Sequence, residues 1–263
     1  MVGIPLHPTL GSPIRSLDEI YDRLGDLPFA AEFKLDGQRC QAHVSRSDSR
    51  VAVQLFSRHL EDMTAKVTVA GSANKTDANN LKQYPDVVLL MQEILASDPE
   101  LHSFIIDAEI VAIDPVNGAL KNFQELSNRA RKDVQFHNVK VAVSVFAFDL
   151  LYLDGEVSPV RCPAPGNGYT DRWAHPLFQI LLEQPFRKRR GLLRKRLPAL
   201  KPEQKGVAHF NHVESQDSED GRKNIEEFWV KAVESRCEGL MIKVCPPVKR
   251  PHGTPLTTTL SAS

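Results

Sequence analysis

One lysine in this chain stands among groups that can make an amine a nucleophile. Lys34 lies in the string Glu32-Phe33-Lys34-Leu35-Asp36-Gly37-Gln38-Arg39. Side chains alternate along a strand, so Glu32, Lys34 and Asp36 share one face, and Phe29, Ala31, Phe33 and Leu35 share the other. Beyond Gly37 the polar parity changes: Arg39, Gln41 and His43 fall together, opposite Cys40, Ala42 and Val44. Two strands joined by a tight hairpin at Asp36-Gly37 account for this, because Asp-Gly supplies the positive φ of such turns. A lysine attacks only after losing its proton. Burial, Arg39 and a bound metal favour that loss, whereas Glu32 and Asp36 oppose it unless substrate or metal engages them. The plain alternative is a solvated lysine on a surface hairpin.

Other chemistry-bearing residues lie far off in sequence. Arg58 leaves the end of an apolar strand, Val51–Ser57. Asp107 and Glu109 lie on one face of the apolar run Phe104–Ile113, where carboxylates require partners. An ion pair satisfies that requirement, and so does a metal or a ribose. Phe146 and Phe148 share a parity in Val139–Leu153, as core residues or as a base-stacking platform. Glu238 and Lys243 bracket the strand Gly239–Ile242. Five residues apart, they fall on opposite faces, so a bend is needed for both to reach one ligand.

The elements that must carry these groups are legible from periodicity. Ser16-Leu17-Asp18-Glu19 is a capping box that opens a helix with Leu17, Ile20, Tyr21 and Leu24 on one stripe. Tyr84–Leu95 and Ile225–Val233 have helical apolar spacing. Strands are expected near 29–35, 38–44, 51–57, 104–113, 139–149 and 239–243. Alternation within hairpins points to an α+β fold of antiparallel sheets flanked by helices.

Taken in order, these strings resemble the ATP-dependent DNA ligases, most closely the eukaryotic replicative type (DNA ligase I). Lys34-Leu35-Asp36-Gly37-x-Arg39 is similar to motif I of the nucleotidyltransferase superfamily, and Phe56-Ser57-Arg58 to motif III. The surroundings of Phe148-Asp149-Leu150 resemble motif IIIa, and Glu238-Gly239-Leu240-Met241-Ile242-Lys243 resembles motif IV. Gly3-Ile4-Pro5-Leu6-x-Pro8 resembles the entry to that domain. The resemblance implies a nucleotidyltransferase (ATP-grasp-like) domain whose Lys34 takes AMP from ATP. The AMP then passes to a 5′-phosphate at a nick in double-stranded DNA, for strand joining in replication, repair and recombination. It also implies the roles. Glu32 accepts from the adenine amino group, Phe148 stacks on adenine, and Arg39 holds ribose or phosphate oxygens. Arg58 and Lys243 bind phosphates, and Glu109 and Glu238 bind Mg²⁺. RNA ligases and mRNA-capping enzymes use the same chemistry, and a non-catalytic DNA-binding fragment is a third reading.

Composition bounds these readings. The 263 residues hold 33 basic and 33 acidic side chains, so charge acts locally rather than overall. Seven of the ten residues Arg187–Arg196 are basic. They read as a nuclear-import signal, a phosphate-binding patch, or an amphipathic helix with Leu192 and Leu193 inward. The implied location is the nucleus, and the implied state is a monomer with possible replication or repair partners. No apolar run reaches about 18 residues, so no transmembrane helix or membrane partner is expected. The four cysteines, 40, 162, 237 and 245, form no Cys-x-x-Cys pair and suggest neither zinc nor a disulfide framework. The expected division is a domain over 1–244, with insertions near 65–83 and 158–182, and an irregular tail over 245–263. Motif V and an oligonucleotide-binding (OB) fold domain are not found in that tail, so impaired sealing is expected of a truncated product.

Overall fold

A computed structural model of the chain describes residues 2–9, 11–47, 50–64, 84–129, 136, 139–153, 162–163, 169–170, 181–245 and 259–262. Residues 47, 162–163, 169–170 and 259–262 are described by backbone alone. Two sheets carry the site. The first contains β1 (Gly11–Ile14), β2 (Phe29–Lys34), β10 (Ser215–Asp217), β11 (Gly239–Val244) and β12 (Thr259–Ala262), in the order β1-β12-β11-β2-β10. The second contains β3 (Gln38–Ser47), β4 (Arg50–Phe56), β5 (Ser103–Ala112), β6 (Val143–Leu153) and β9 (His209–His212), in the order β4-β3-β5-β6-β9. Pairing within each is antiparallel apart from β1 with β12 and β6 with β9. A separate two-residue ribbon joins β7 (Cys162–Pro163) to β8 (Tyr169–Thr170).

Among the described residues five α-helices flank the sheets: α1 (Leu17–Leu24), α2 (Pro85–Ser97), α3 (Phe123–Ser127), α4 (Phe186–Arg196) and α5 (Arg222–Glu234). The Ser16 hydroxyl caps α1 by accepting from the Glu19 N–H at 3.2 Å. Pro85 opens α2, where its missing N–H costs nothing. Each sheet has its own core. Val44, Leu55, Leu90, Met91, Ile106, Val145 and Phe210 belong to one, between the second sheet and α2. Phe29, Phe33, Ile225, Phe228, Leu240 and Ile242 belong to the other, where Phe33 stacks on Phe228 at 4.6 Å.

The hairpin expected at Asp36-Gly37 is not formed. β2 pairs with β10 and β11, and β3 pairs with β4 and β5, so the chain crosses from one sheet to the other at this point. Gly37 does not adopt a positive φ. Its requirement is close approach instead: a Cβ there would lie 2.4 Å from the Ile110 carbonyl oxygen and 3.0 Å from Glu109 Cγ. The parity change seen in the sequence is the mark of a sheet crossing, which local alternation does not distinguish from a turn.

Two further differences follow from tertiary pairing. Strand β6 runs four residues later than its expected end, held against β5 across two register shifts. Within the segment expected to be irregular, Thr259–Ala262 pairs with both β11 and β1. That pairing satisfies backbone groups on the β11 edge that β2 leaves open. The basic run 187–196 lies in α4, as the amphipathic-helix reading expects, with Leu193 buried and Leu192 packed against the core. Its arginines are engaged: Arg189 with Asp149, Arg187 with Glu219, Arg190 with Asp217, and Arg196 with Asp98. The insertion expected at 65–83 lies outside the described residues, as does most of 158–182 and 246–258.

Candidate active site

A cleft of about 700 Å³ opens between the two sheets. Glu32, Lys34, Glu238 and Lys243 reach it from the first sheet, and Arg39, Glu109 and Phe148 from the second. Arg58 joins them just after β4. The eight residues Glu32, Lys34, Arg39, Arg58, Glu109, Phe148, Glu238 and Lys243 therefore line one space, and six strands or their ends bring them there. Its size lies within the range of small-molecule and nucleotide sites, about 300–1,000 Å³.

Lys34 ends β2, where the strand pairs with β11 in the register Lys34↔Gly239 and Glu32↔Met241. The Glu238 N–H donates to the Lys34 carbonyl at 2.8 Å, and the Glu238 carboxylate meets Lys34 Nζ at 2.6 Å. The bend that this requires lies at Gly239, whose φ is 138°. An L side chain rarely takes that backbone conformation, so the glycine allows Glu238 to turn back over the strand. Both members of the pair remain partly exposed to the cleft.

At the other end of the same face, Lys243 and Glu32 form a buried ion pair of 2.7 Å. Lys243 Nζ also donates to the Phe148 carbonyl at 3.0 Å and lies 4.8 Å from the centre of the Phe148 ring. Burial pushes the Glu32 carboxyl upward, and Lys243 opposes it. The resemblance put Lys243 on nucleotide phosphates. Here its ammonium pairs with Glu32.

Glu109 lines the same cleft from β5. Burial pushes its carboxyl up to about 8; Arg39 opposes the shift, while Glu238, Asp107 and Asp36 add to it. Several carboxylates thus crowd one region, a field that a cation would relieve. Among the described residues no group of three or more His, Cys, Asp or Glu side chains converges as a metal cage. Arg39 is held in a forked pair with Asp107, at 2.6 Å from Nη2 and 3.4 Å from Nε, and its guanidinium lies 5.6 Å from the Phe148 ring centre. Arg58 is exposed at the rim and makes no ion pair among the described residues.

In sequence Asp107 shares a strand face with Glu109, and nothing local marks its pairing with Arg39. The pair is diagonal across the two strands: Arg39 lies opposite Glu109 and Gln41 opposite Asp107, yet the guanidinium bonds Asp107. The sequence gives no signal for Phe123, which lines the cleft from the start of α3 while its N–H donates to the Asp36 carboxylate at 3.3 Å.

A covalent nucleotide-transfer site, with a lysine held among carboxylates and further cations in one cleft, is the class that this fold and cleft define. Comparison with known proteins gives the family. Residues 8–249 match the model of the ATP dependent DNA ligase domain. The chain is 35% identical over 243 residues to DNA ligase 1 of Dictyostelium discoideum, covering 92% of this chain and 16% of that protein. It is 33% identical over 242 residues to DNA ligase 3 of Schizosaccharomyces pombe, covering 92% of this chain and 24% of that one. Among solved structures, a mycobacterial DNA ligase D complexed with ATP and MES superposes with a TM-score of 0.55 at 22% identity. That match covers 97% of this chain and 59% of the other, and it concerns the fold alone. The chain belongs to the ATP-dependent DNA ligase family and carries its catalytic domain. The matches include eukaryotic and archaeal ligases, so they define the family rather than a replicative subtype. The chain spans a quarter or less of the length of the first curated relatives.

Proposed function

We propose that this domain transfers AMP from ATP to Lys34 and passes it on to a 5′-phosphate at a DNA nick, as the replicative type of ligase would. The observation that carries the reading is the meeting of Lys34, Glu109, Glu238, Arg39 and Phe148 in one cleft. No single strand holds them all, and a solvated hairpin lysine would not be ringed this way.

The adenine fits the end where Phe148 and the buried Glu32 lie, with Lys243 fixing both. Glu32 accepts from the exocyclic amine, and Phe148 offers a π-face. Arg39, held by Asp107, donates to ribose or α-phosphate oxygens, and Arg58 at the rim binds the outgoing phosphates as a planar fork. Lys34 Nζ attacks the α-phosphorus. A P–N bond forms as the bond to the bridging oxygen breaks and pyrophosphate leaves. Glu238, at 2.6 Å, orients Nζ and is the nearest carboxylate able to accept its proton. Glu109 and Glu238 are the residues that would hold Mg²⁺, which when bound supplies charge neutralisation for the phosphates.

Intact-mass measurement after incubation with ATP and Mg²⁺ tests the reading. The expected result is one AMP per chain, absent in Lys34→Ala and not replaced by GMP when GTP is supplied. A persistent adduct in Lys34→Ala would overturn the nucleophile. A GMP adduct would favour the capping-type chemistry. Binding to nicked duplex without any adduct would favour a non-catalytic module.

A further inference from the structure

Arg39 is held in place by a chain of hydrogen bonds that runs away from the cleft to the segment preceding β1. Asp107 Oδ1, which accepts from Arg39 Nε, also accepts from Gln41 Nε2 at 3.5 Å. The same amide nitrogen donates to the Leu6 carbonyl at 3.3 Å. Its oxygen accepts from the Leu6 N–H at 2.8 Å and lies 2.9 Å from His43 Nε2. His43 Nδ1 lies 2.9 Å from the Gly3 nitrogen.

These partners assign every proton. The Gly3 N–H can only donate, so Nδ1 is the bare nitrogen and Nε2 carries hydrogen toward Gln41 Oε1. That fixes the Gln41 amide with its NH₂ toward Asp107. Burial pushes His43 down to about 4, which keeps the acceptor nitrogen free at neutral pH. Gln41 and His43 are nearly inaccessible to solvent, at 4% and 1% exposure, so they are not surface groups paired by chance. Arg39, Gln41 and His43 alternate on one face of β3, which places the relay in a single line.

We infer that Gln41 and His43 are positioning residues for Arg39, and that the segment Gly3–Leu6 is the fixed end of this relay, so that docking of the entry segment sets the grip of the site on the nucleotide. Neither side chain touches the cleft; both act through Asp107. The inference builds on the adenylation reading, because it names what holds one of the nucleotide-binding groups.

The test uses Gln41→Leu in the full chain, a change close in size that removes every amide bond of the relay. The first readout is independent of catalysis: solvent exchange of the Arg39 Nε–H by nitrogen-15 NMR. Exchange should rise about ten-fold, as expected when a partner of a charged hydrogen bond is lost. Unchanged exchange would overturn the relay whether or not the chain forms an adduct. The second is the kinetics of Lys34 adenylation. The KM for ATP should rise about ten-fold with kcat altered much less, the pattern of lost uniform binding. In an Arg39→Ala background Gln41→Leu should leave KM within about two-fold, since residues acting through one another are non-additive. Full additivity of the two substitutions would show that Gln41 acts on packing alone and would sink the proposal. Absence of any adduct in the unsubstituted chain would count against the adenylation reading, while the NMR result would still decide the relay.

Discussion

Replacing Gly37 distinguishes a sheet crossing from a turn. An alanine Cβ there would lie 2.4 Å from the Ile110 carbonyl oxygen and 2.9 Å from Val111 Cγ2. The second is a side-chain methyl that can rotate. The first is backbone within β5, which pairs on both sides with β3 and β6 and cannot move alone. Overpacking of this kind costs about 1–3 kcal/mol, and the rigid contact puts Gly37→Ala near the upper end. For a domain of this size that corresponds to a fall in Tm of roughly 6–12 °C. Urea denaturation followed by circular dichroism should show a lower midpoint at an unchanged slope. Because Glu109 Cγ lies 3.0 Å from the same Cβ, Lys34 adenylation should fall by more than the folded fraction does; a displacement of about 1 Å is worth about a hundred-fold. Gly37→Asn is the decisive control. Asparagine tolerates a positive φ, so a turn would accept it. A close approach predicts that it harms at least as much as alanine. Near-native stability of Gly37→Asn would refute the crossing argument.

Lys34→Ala should remove the AMP adduct while changing stability by less than about 1 kcal/mol, because its pair with Glu238 is partly solvated; a denaturation curve checks the second half. The Glu109 carboxyl titrates from 4.5 in the unfolded chain up to about 8 in the fold, so the folded chain holds an extra proton between those values. Stability from this group is therefore present at low pH and lost as pH rises through that window, a dependence that Glu109→Gln should flatten in thermal melts. Since a cation competes with the same proton, Mg²⁺ affinity measured by calorimetry should climb up to about pH 8 and then level off. Arg129 and Asp86 form a buried forked pair, with Arg129 Nη1 3.0 Å from Oδ2. Arg129→Ala should cost about 3–5 kcal/mol, because the carboxylate is left buried alone; loss of less than about 1 kcal/mol in urea would refute this.

What this sequence settled by itself was local. Alternation placed β2, β3, β4 and β5 within a few residues, helical spacing placed α1, α2 and α5, and residue types at fixed offsets drew attention to Lys34, Glu109 and Glu238. These follow from backbone periodicity, which each segment carries in its own residues. Tertiary structure decided who meets whom. A change of parity at Gly37 reads alike for a hairpin and for a passage between sheets, because both reverse the face that is buried. Asp107 is drawn to Arg39 and Lys243 to Glu32 only by the pairing of strands distant in sequence. The return of Glu238 over Lys34 depends on a glycine φ that no periodicity records. Ion pairing and burial depend on three-dimensional distance, and strands far apart along the chain supply that distance only once they have packed.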